Sequence, residues 1–200
     1  MPYEYRKLSP KEQIQIVEER RQRGFPLHQP PHPFRETGCY LITAANFEHQ
    51  AIMVSPERRS SFQEILLKGF QEINAEIIGW VILTNHYHIL VNIESLDSVS
   101  SLLKQIHGST SYAWNKEDSL SGKRKVWYRY ADRMIRNERH LNQTLNYIHY
   151  NPIKHGSVED VYDWPWSSLF LYLDDKGQEW LRDQREKDKP TADFGKGWDE

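Results

Sequence analysis

The chain has 200 residues, with 26 Lys or Arg against 28 Asp or Glu and a formal net charge of -2. That length suits one compact domain with appendages and is too short for two full-sized domains. Hydrophobic residues make up 38% of the chain, and seven Trp and eleven Tyr exclude wholesale disorder. The negative net charge argues weakly against a nucleic-acid binder, although local charge matters more than the total.

The amino terminus lacks the apolar region of a signal peptide, and no apolar run approaches the ~20 residues that span a bilayer. We therefore expect a cytoplasmic protein with no membrane partner. The single cysteine, Cys39, excludes an intramolecular disulfide and a cysteine-rich zinc site. Any bound metal must use histidine and oxygen ligands.

The first elements along the chain predict an appendage before the main domain. Residues 9–23 are typical of an amphipathic helix, with Ser9 as its cap and Pro10 at its first position. Four prolines between residues 26 and 33 indicate an extended linker. The predicted units are an N-terminal helical extension with its linker, a main domain, and a charged C-terminal tail whose last ~17 residues are expected to be weakly ordered: residues 1–36, 37–173 and 174–200.

The main domain alternates strand and helix patterns. Apolar and β-branched runs predict strands at residues 40–45, 75–83, 86–92 and 126–135. Helical spacing predicts helices at residues 55–74, 98–115 and 138–150, the first opening at Ser55-Pro56 and the last capped by Asn137. This order is the split βαβ pattern, so we predict an α+β, ferredoxin-like antiparallel sheet with helices covering one face.

The strongest local signal is Asn85-His86-Tyr87-His88 on a predicted strand. Because alternate strand residues point to the same face, His86 and His88 would stand side by side, with Tyr87 on the other face. Two adjacent imidazoles form a ready-made pair of metal ligands. The pattern alone is weak, because a bare His-x-His is more often a pair of ordinary surface or core histidines.

A second signal lies on the last predicted helix, where Tyr147 and Asn151 are four residues apart and share a face. Pro152 disfavours α geometry at Asn151, so the helix is predicted to end near residue 150. A core aromatic is the alternative interpretation of Tyr147. Tyr150 is the rival nucleophile, but it is rotated by about 300° from Tyr147 and has no Asn or Gln four residues later.

These two signals occur in a fixed order with further short sequence motifs, and the joint occurrence of the motifs is specific for one protein family. The series resembles the REP-associated tyrosine transposases, a branch of the single-tyrosine HUH transposases, over residues 37–173. The segments that carry the resemblance are Thr84-Asn85-His86-Tyr87-His88-Ile89-Leu90-Val91, Val126-Trp127, Asp132-Arg133-Met134-Ile135-Arg136, Tyr147-Ile148-His149-Tyr150-Asn151-Pro152-Ile153-Lys154-His155-Gly156 and Trp166-Ser167-Ser168.

The resemblance implies an HUH nuclease domain that cleaves and rejoins single-stranded DNA through a 5′-phosphotyrosine. It assigns His86 and His88 to the paired ligands of a divalent metal, Mg²⁺ or Mn²⁺, and Tyr147 to the nucleophile. Asn151 stands where related transposases place a polar third ligand, commonly Gln. The implied partner is hairpin-forming, REP-like single-stranded DNA, and a homodimer is one expected state.

Local charge supplies candidate DNA contacts. Residues 123–139 hold seven Lys or Arg against two acids, and Tyr128 or Tyr130 could stack on bases. A solvated charged strand is the alternative at each position. The candidate phosphate contacts are Lys123, Arg124, Lys125, Arg129, Arg133 and Arg136. Four further histidines are interpreted as bystanders: His107, His140, His149 and His155.

Other classes of function stay open at this point. Ferredoxin-like sheets also bind single-stranded DNA or RNA without catalysis, although the aromatic RNA-binding strand signature is absent here. A metal hydrolase that uses water is a third interpretation, but it normally assembles more ligands than two histidines. A covalent protein-DNA adduct would separate the transposase from both.

Overall fold

The structure is a computed structural model, and it describes residues 9, 11, 12, 15, 18, 37–120, 124–191 and 193–195. The chain divides into two compact units, residues 1–36 and 37–200. In the first, the Ser9 backbone N–H donates to the Glu12 carboxylate at 2.8 Å, and the Glu12 N–H donates to the Ser9 hydroxyl at 3.4 Å. This capping box confirms Ser9 as a helix cap. Most of the predicted helix and all of the proline-rich linker lie outside the described residues.

The second unit is built on a four-stranded antiparallel sheet in the order β2-β3-β1-β4. The strands are β1 (Gly38–Ala45), β2 (Glu76–Ile82), β3 (His86–Ile93) and β4 (Ala131–Met134). Helix α1 (Pro56–Glu72) joins β1 to β2, and helix α2 (Leu96–Glu117) joins β3 to β4. This connectivity confirms the predicted ferredoxin-like fold.

Side-chain caps set where the first two helices begin. The Ser55 hydroxyl accepts a hydrogen bond from the Arg58 N–H at 3.1 Å, and Pro56 takes the first helical position, as the sequence predicts. The Ser95 hydroxyl accepts from the Asp97 N–H at 3.2 Å. Helix α2 therefore starts at Leu96, two residues before its predicted start.

Helices cover both faces of the sheet. Helices α1 and α2 bury one face in a core that includes Phe62, Leu103 and Tyr87. Helix α3 (Glu138–Lys154) covers the opposite face, where Ile148 packs with Leu90 and other apolar side chains. The prediction that helices cover a single face was therefore wrong. Strand β3 is buried on both sides, so its residues need partners above and below the sheet.

The last strand is shorter than predicted. Only Ala131–Met134 pairs regularly with β1, while Trp127 forms an isolated bridge to Asn46. Because Ala131 pairs with Thr43 and Trp127 with Asn46, three residues, 128–130, lie opposite two, 44 and 45. The extra residue interrupts the ladder, as in a β-bulge.

The segment from residue 174, predicted as a charged tail outside the main domain, is helical as far as Lys187. Helix α4 (Leu169–Lys187) is bent at Gly177, where φ is 83°. Leu169 and Leu181 are buried in an apolar cluster of their own, which explains why a charged segment stays helical.

Among the residues that the structure describes, every helix is too short or too polar to span a lipid bilayer.

One histidine packs against the core beside Tyr87. His107 Nε2 lies 3.0 Å from Tyr87 Oη, and the His107 ring stacks on Trp127 with centroids 4.5 Å apart. Burial lowers the pKa of His107 to about 4. This histidine is therefore neutral in the folded protein at neutral pH, and its role is structural.

The depressed pKa of His107 predicts acid sensitivity. The unfolded chain binds a proton on this histidine below about pH 6.5, whereas the folded protein does so only near pH 4, so stability falls across that window by up to ~3 kcal/mol. In His107→Gln, denaturant unfolding at a series of pH values should show a flatter dependence between pH 6.5 and 4. An unchanged slope would contradict this assignment.

Candidate active site

The two histidines of the His-x-His pattern lie side by side on the face covered by α3. His86 is 1% exposed, His88 is fully buried, and their ring centroids are 5.2 Å apart. Tyr87 points to the other face and packs on Phe62, with ring centroids 5.3 Å apart. The predicted alternation along the strand is therefore confirmed: His86 and His88 point to one face of the sheet and Tyr87 to the other.

Helix α3 brings a phenol and an amide to this pair. The Tyr147 ring lies edge-on to His88 with centroids 5.3 Å apart, and Asn151 Oδ1 lies 3.1 Å from His86 Nε2. Strand β3 and helix α3 thus assemble these four side chains within one chain. Tyr150, the rival, lies under the guanidinium of Arg185, 3.6 Å from its ring centroid.

The helix continues through Pro152 to Lys154, so the prediction that it ends near residue 150 was wrong. Proline removes the N–H that would bond to the Ile148 carbonyl. Both Ile148 and Pro152 are buried, and the His155 N–H still donates to the Asn151 carbonyl at 3.1 Å. Packing against the sheet therefore holds a turn that proline alone disfavours, and it keeps Asn151 on the Tyr147 face.

The neighbours of His86 set its tautomer. Asn85 Nδ2 donates to the His49 carbonyl at 3.2 Å, which orients the Asn85 amide, and Asn85 Oδ1 then faces His86 Nδ1 at 2.7 Å. Since Oδ1 only accepts, the neutral imidazole carries its proton on Nδ1 and has its lone pair on Nε2. That lone pair faces Asn151 Oδ1, another acceptor, at 3.1 Å. Two acceptors that converge in this way fit a cation.

Strand β1 orients the second histidine. Thr43 pairs with His88 across the two strands, and Thr43 Oγ1 lies 2.7 Å from His88 Nδ1. Among the described residues, Asn151 Nδ2 is buried without a hydrogen-bond partner, and no group of three or more His, Cys, Asp or Glu is placed to hold a metal. The available donor set is two imidazoles and one amide oxygen, which suits Mn²⁺ well and Mg²⁺ acceptably.

Two neighbours of the site were missed in the sequence. Lys154 Nζ donates to Tyr147 Oη at 3.1 Å, and the His155 ring lies edge-on to His86 with centroids 4.8 Å apart. His155 is thus beside the site, although the sequence pattern indicates a bystander at this position. Helical spacing would have placed Lys154 seven residues after Tyr147, on the same face, but ending the helix at Pro152 hid that signal.

The C-terminal segment covers Tyr147, which is only 6% exposed. The Phe194 ring lies 6.1 Å from the Tyr147 ring, centroid to centroid. Gly195 has φ 79°, and a Cβ there would collide with the Tyr147 ring at Cε2. The Asn146 amide anchors the preceding chain by donating to the carbonyls of Gln184 and Asp188. The backbone of Gly195 therefore closes one side of the phenol.

The candidate DNA-binding residues do not form one group. Arg133 and Arg136 line a cavity of about 640 Å³ at the start of α3, together with Arg139, His140 and Gln143. Arg124 instead forms an ion pair with Asp118 at 2.7 Å and hydrogen bonds with Asn115.

The remaining basic candidates lie elsewhere. Lys125 is exposed, with Nζ 4.5 Å from the Phe47 ring centroid, and Arg129 is exposed. Tyr128 is half-buried against Phe47, and Tyr130 packs at the edge of the core beneath α1 and α2. Lys123 lies outside the described residues.

Comparison with known proteins places this chain in a family. Residues 40–151 match the family described as Transposase IS200 like. A REP-associated tyrosine transposase of Escherichia coli strain K12 is 34% identical over 134 residues, which cover 66% of this chain and 76% of that protein. This chain belongs to the REP-associated tyrosine transposases. The resemblance inferred from the sequence is confirmed, and the protein is a transposase.

Two further relatives agree. A Haemophilus influenzae protein that bears the same family name is 31% identical to this transposase over 146 residues, covering 68% of this chain and 82% of the relative. A solved structure of a REP-associated tyrosine transposase bound to a REP hairpin aligns with a TM-score of 0.58 at 22% identity, over 73% of this chain and 86% of that one. That likeness shows the fold.

The contact between Gly195 and Tyr147 generates a prediction. In Gly195→Ala, the left-handed backbone costs roughly 1–2 kcal/mol and the new methyl group collides with the phenol, so the uncovered population of Tyr147 should rise by about tenfold or more. Tyrosine nitration, mapped on peptides by mass spectrometry, measures this, with Tyr112 (74% exposed) as internal reference.

The matched control is Gly108→Ala on helix α2, where a new Cβ meets nothing within 4 Å. That change should leave Tyr147 nitration at the parent level and add up to ~1 kcal/mol of stability through helix propensity. Equal nitration of Tyr147 in both variants would show that Gly195 does not cover the phenol.

Proposed function

We propose that this transposase cleaves and rejoins single-stranded DNA in a metal-dependent reaction, with Tyr147 as nucleophile and a 5′-phosphotyrosine as intermediate. The observation that carries the proposal is the convergence of Tyr147 and Asn151 on the buried His86 and His88. The Tyr147 and His88 rings are 5.3 Å apart, and Asn151 Oδ1 lies 3.1 Å from His86 Nε2.

The chemistry follows from what a phenol can do. Tyr147 Oη attacks the scissile phosphorus and releases its proton to solvent, while the bond from phosphorus to the 3′ oxygen breaks and that oxygen gains a proton. The 5′ strand end is then esterified to Tyr147. In the reverse step a 3′ hydroxyl attacks the phosphotyrosine and Tyr147 Oη leaves, so strands are rejoined without a nucleotide cofactor.

The histidine pair fits the metal that such a reaction uses. His86, through Nε2, and His88 would hold Mg²⁺ or Mn²⁺ together with Asn151 Oδ1. When bound, the ion supplies positive charge that polarises the phosphate and stabilises its developing negative charge. Asn85 and Thr43 hold the two rings in orientation through hydrogen bonds at 2.7 Å.

The proposed substrate is single-stranded DNA that forms a REP-like hairpin. The similar solved structure is described as bound to a REP hairpin, which supports this choice. Arg133 and Arg136, which line the cavity at the start of α3, are the basic residues best grouped to contact phosphates. The cluster of Phe47 and Tyr128 offers aromatic rings for base stacking.

Covalency is the sharpest prediction of this proposal. With Mn²⁺ present, a hairpin oligonucleotide labelled 3′ of the cut should become attached to the protein, and peptide mapping should place the label on Tyr147. Tyr147→Phe keeps the ring and its packing but lacks the attacking oxygen, so the adduct should disappear while hairpin affinity changes by less than about threefold.

Tyr150→Phe is the matched control, because it removes a hydroxyl from the same helix and should retain the adduct. A labelled Tyr147→Phe protein would refute the assignment of the nucleophile. If the parent releases free 5′-phosphate ends and never becomes linked to DNA, a hydrolase that uses water replaces the transposase mechanism. Hairpin binding without any cutting would favour an inactive binding module.

Metal dependence is tested at the histidine pair. His86→Ala combined with His88→Ala should lower the rate of adduct formation by at least ~100-fold, because the charge that stabilises the transition state is lost. Chelation should abolish cleavage by the parent, and added Mn²⁺ should restore it. Asn92→Ala, at an exposed position of the same strand, is the control and should keep the metal response. Equal cleavage by the parent and the double variant would show that these histidines hold no catalytic metal.

A further inference from the structure

Helix α3 places a lysine on the proposed nucleophile. Lys154 follows Tyr147 by seven residues, two turns along the helix, and Nζ lies 3.1 Å from Tyr147 Oη and 4.7 Å from the ring centroid. The Lys154 residue is exposed, whereas Tyr147 is 6% exposed. The ammonium group therefore reaches from the surface to the buried phenol oxygen.

The polarity of this contact is fixed by chemistry. An ammonium group only donates hydrogen bonds, so Tyr147 Oη is the acceptor. A donor that carries a full positive charge strengthens its bond as the acceptor oxygen becomes negative. Because the ammonium also lies near the ring, the charge faces both the oxygen and the π electrons over which a phenolate spreads its charge.

We propose that Lys154 is a catalytic residue, which holds the Tyr147 oxygen and stabilises its negative charge when the phosphotyrosine bond forms and breaks. The proposal rests on the proposed function of Tyr147. During rejoining, the 3′ hydroxyl forms a bond to phosphorus and the bond from phosphorus to Tyr147 Oη breaks with its electron pair left on Oη. Lys154 stays protonated and donates to Oη throughout. The proton lost by the 3′ hydroxyl passes through solvent to Oη.

This role explains why the helix must continue past Pro152. Asn151 and Lys154 lie on the same face as Tyr147, and only unbroken helical geometry from residue 147 to 154 keeps all three there. The buried Pro152 keeps that last turn against the body of the domain. In this arrangement Asn151 serves the metal and Lys154 serves the nucleophile, one turn apart.

The test compares single-turnover rates at saturating hairpin DNA and Mn²⁺. Lys154→Met keeps the length of the side chain and removes the charge, and it should slow both adduct formation and rejoining by about 10- to 100-fold. Lys154→Arg retains a charged donor and should recover a large part of the loss. The control is Lys68→Met on α1, an exposed lysine on the other side of the sheet, whose rates should equal those of the parent.

Separate readouts distinguish a catalytic role from folding or DNA binding. Thermal unfolding and hairpin affinity of Lys154→Met should match the parent, because only an exposed side chain is changed. A rate deficit that vanishes at saturating DNA, or a full deficit in Lys154→Arg, would overturn the proposal. If the parent forms the adduct and Lys154→Met forms it equally fast, this inference alone fails. If the parent forms no adduct, the proposed function itself fails.

Discussion

The packing of α3 on the sheet decides where Tyr147 lies relative to the histidine pair. Ile148, the next residue, is buried with Leu90 between helix and sheet. His149 Nε2 lies 2.9 Å from Ser168 Oγ, which also accepts a hydrogen bond from the Trp80 N–H at 3.0 Å. The residues that follow Tyr147 are thus tied to the sheet by an apolar contact and a polar one. The phenol is held by its neighbours in sequence rather than by its own contacts alone.

A glycine on strand β2 permits this close approach. A Cβ at Gly79 would lie 2.6 Å from Leu145 Cδ1 and 3.2 Å from Ser168 Oγ. Glycine in a strand weakens the strand itself, and it is found where another segment approaches closely. The absence of a side chain at Gly79 therefore allows α3 to lie close to the sheet, near the histidines of the neighbouring strand.

Period-two alternation explains why the histidine pair could be predicted from sequence. Any strand through residues 86–88 puts His86 and His88 on one face, whatever packs above them. The position of Lys154 could not be predicted, because the local penalty of Pro152 outweighs every other signal until the packing partners of the helix are known. The same limit applies to the short β4, whose extra residue is visible only when its partner strand is aligned.

The burial of Tyr147 by the C-terminal residues could not be predicted from the sequence for a different reason. Gly195 lies in a charged, glycine-containing tail, and sequence alone does not reveal that its backbone rests on a residue 48 positions earlier. Helix α4 was missed in the same region because its few apolar residues stand among many charges. A contact made through backbone atoms cannot be predicted from residue type, whereas buried strands and helices can be predicted from the periodicity of their apolar residues.

The proposed metal ligands, the nucleophile and Lys154 lie on one strand and one helix of a single chain, and these two elements pack directly together. Nothing in this set has to be supplied by a second copy. Under the proposed function, such a site keeps its residues on dilution, so turnover per molecule would not depend on protein concentration. Mixing two inactive chains, one altered on the strand and one on the helix, would then restore no working site.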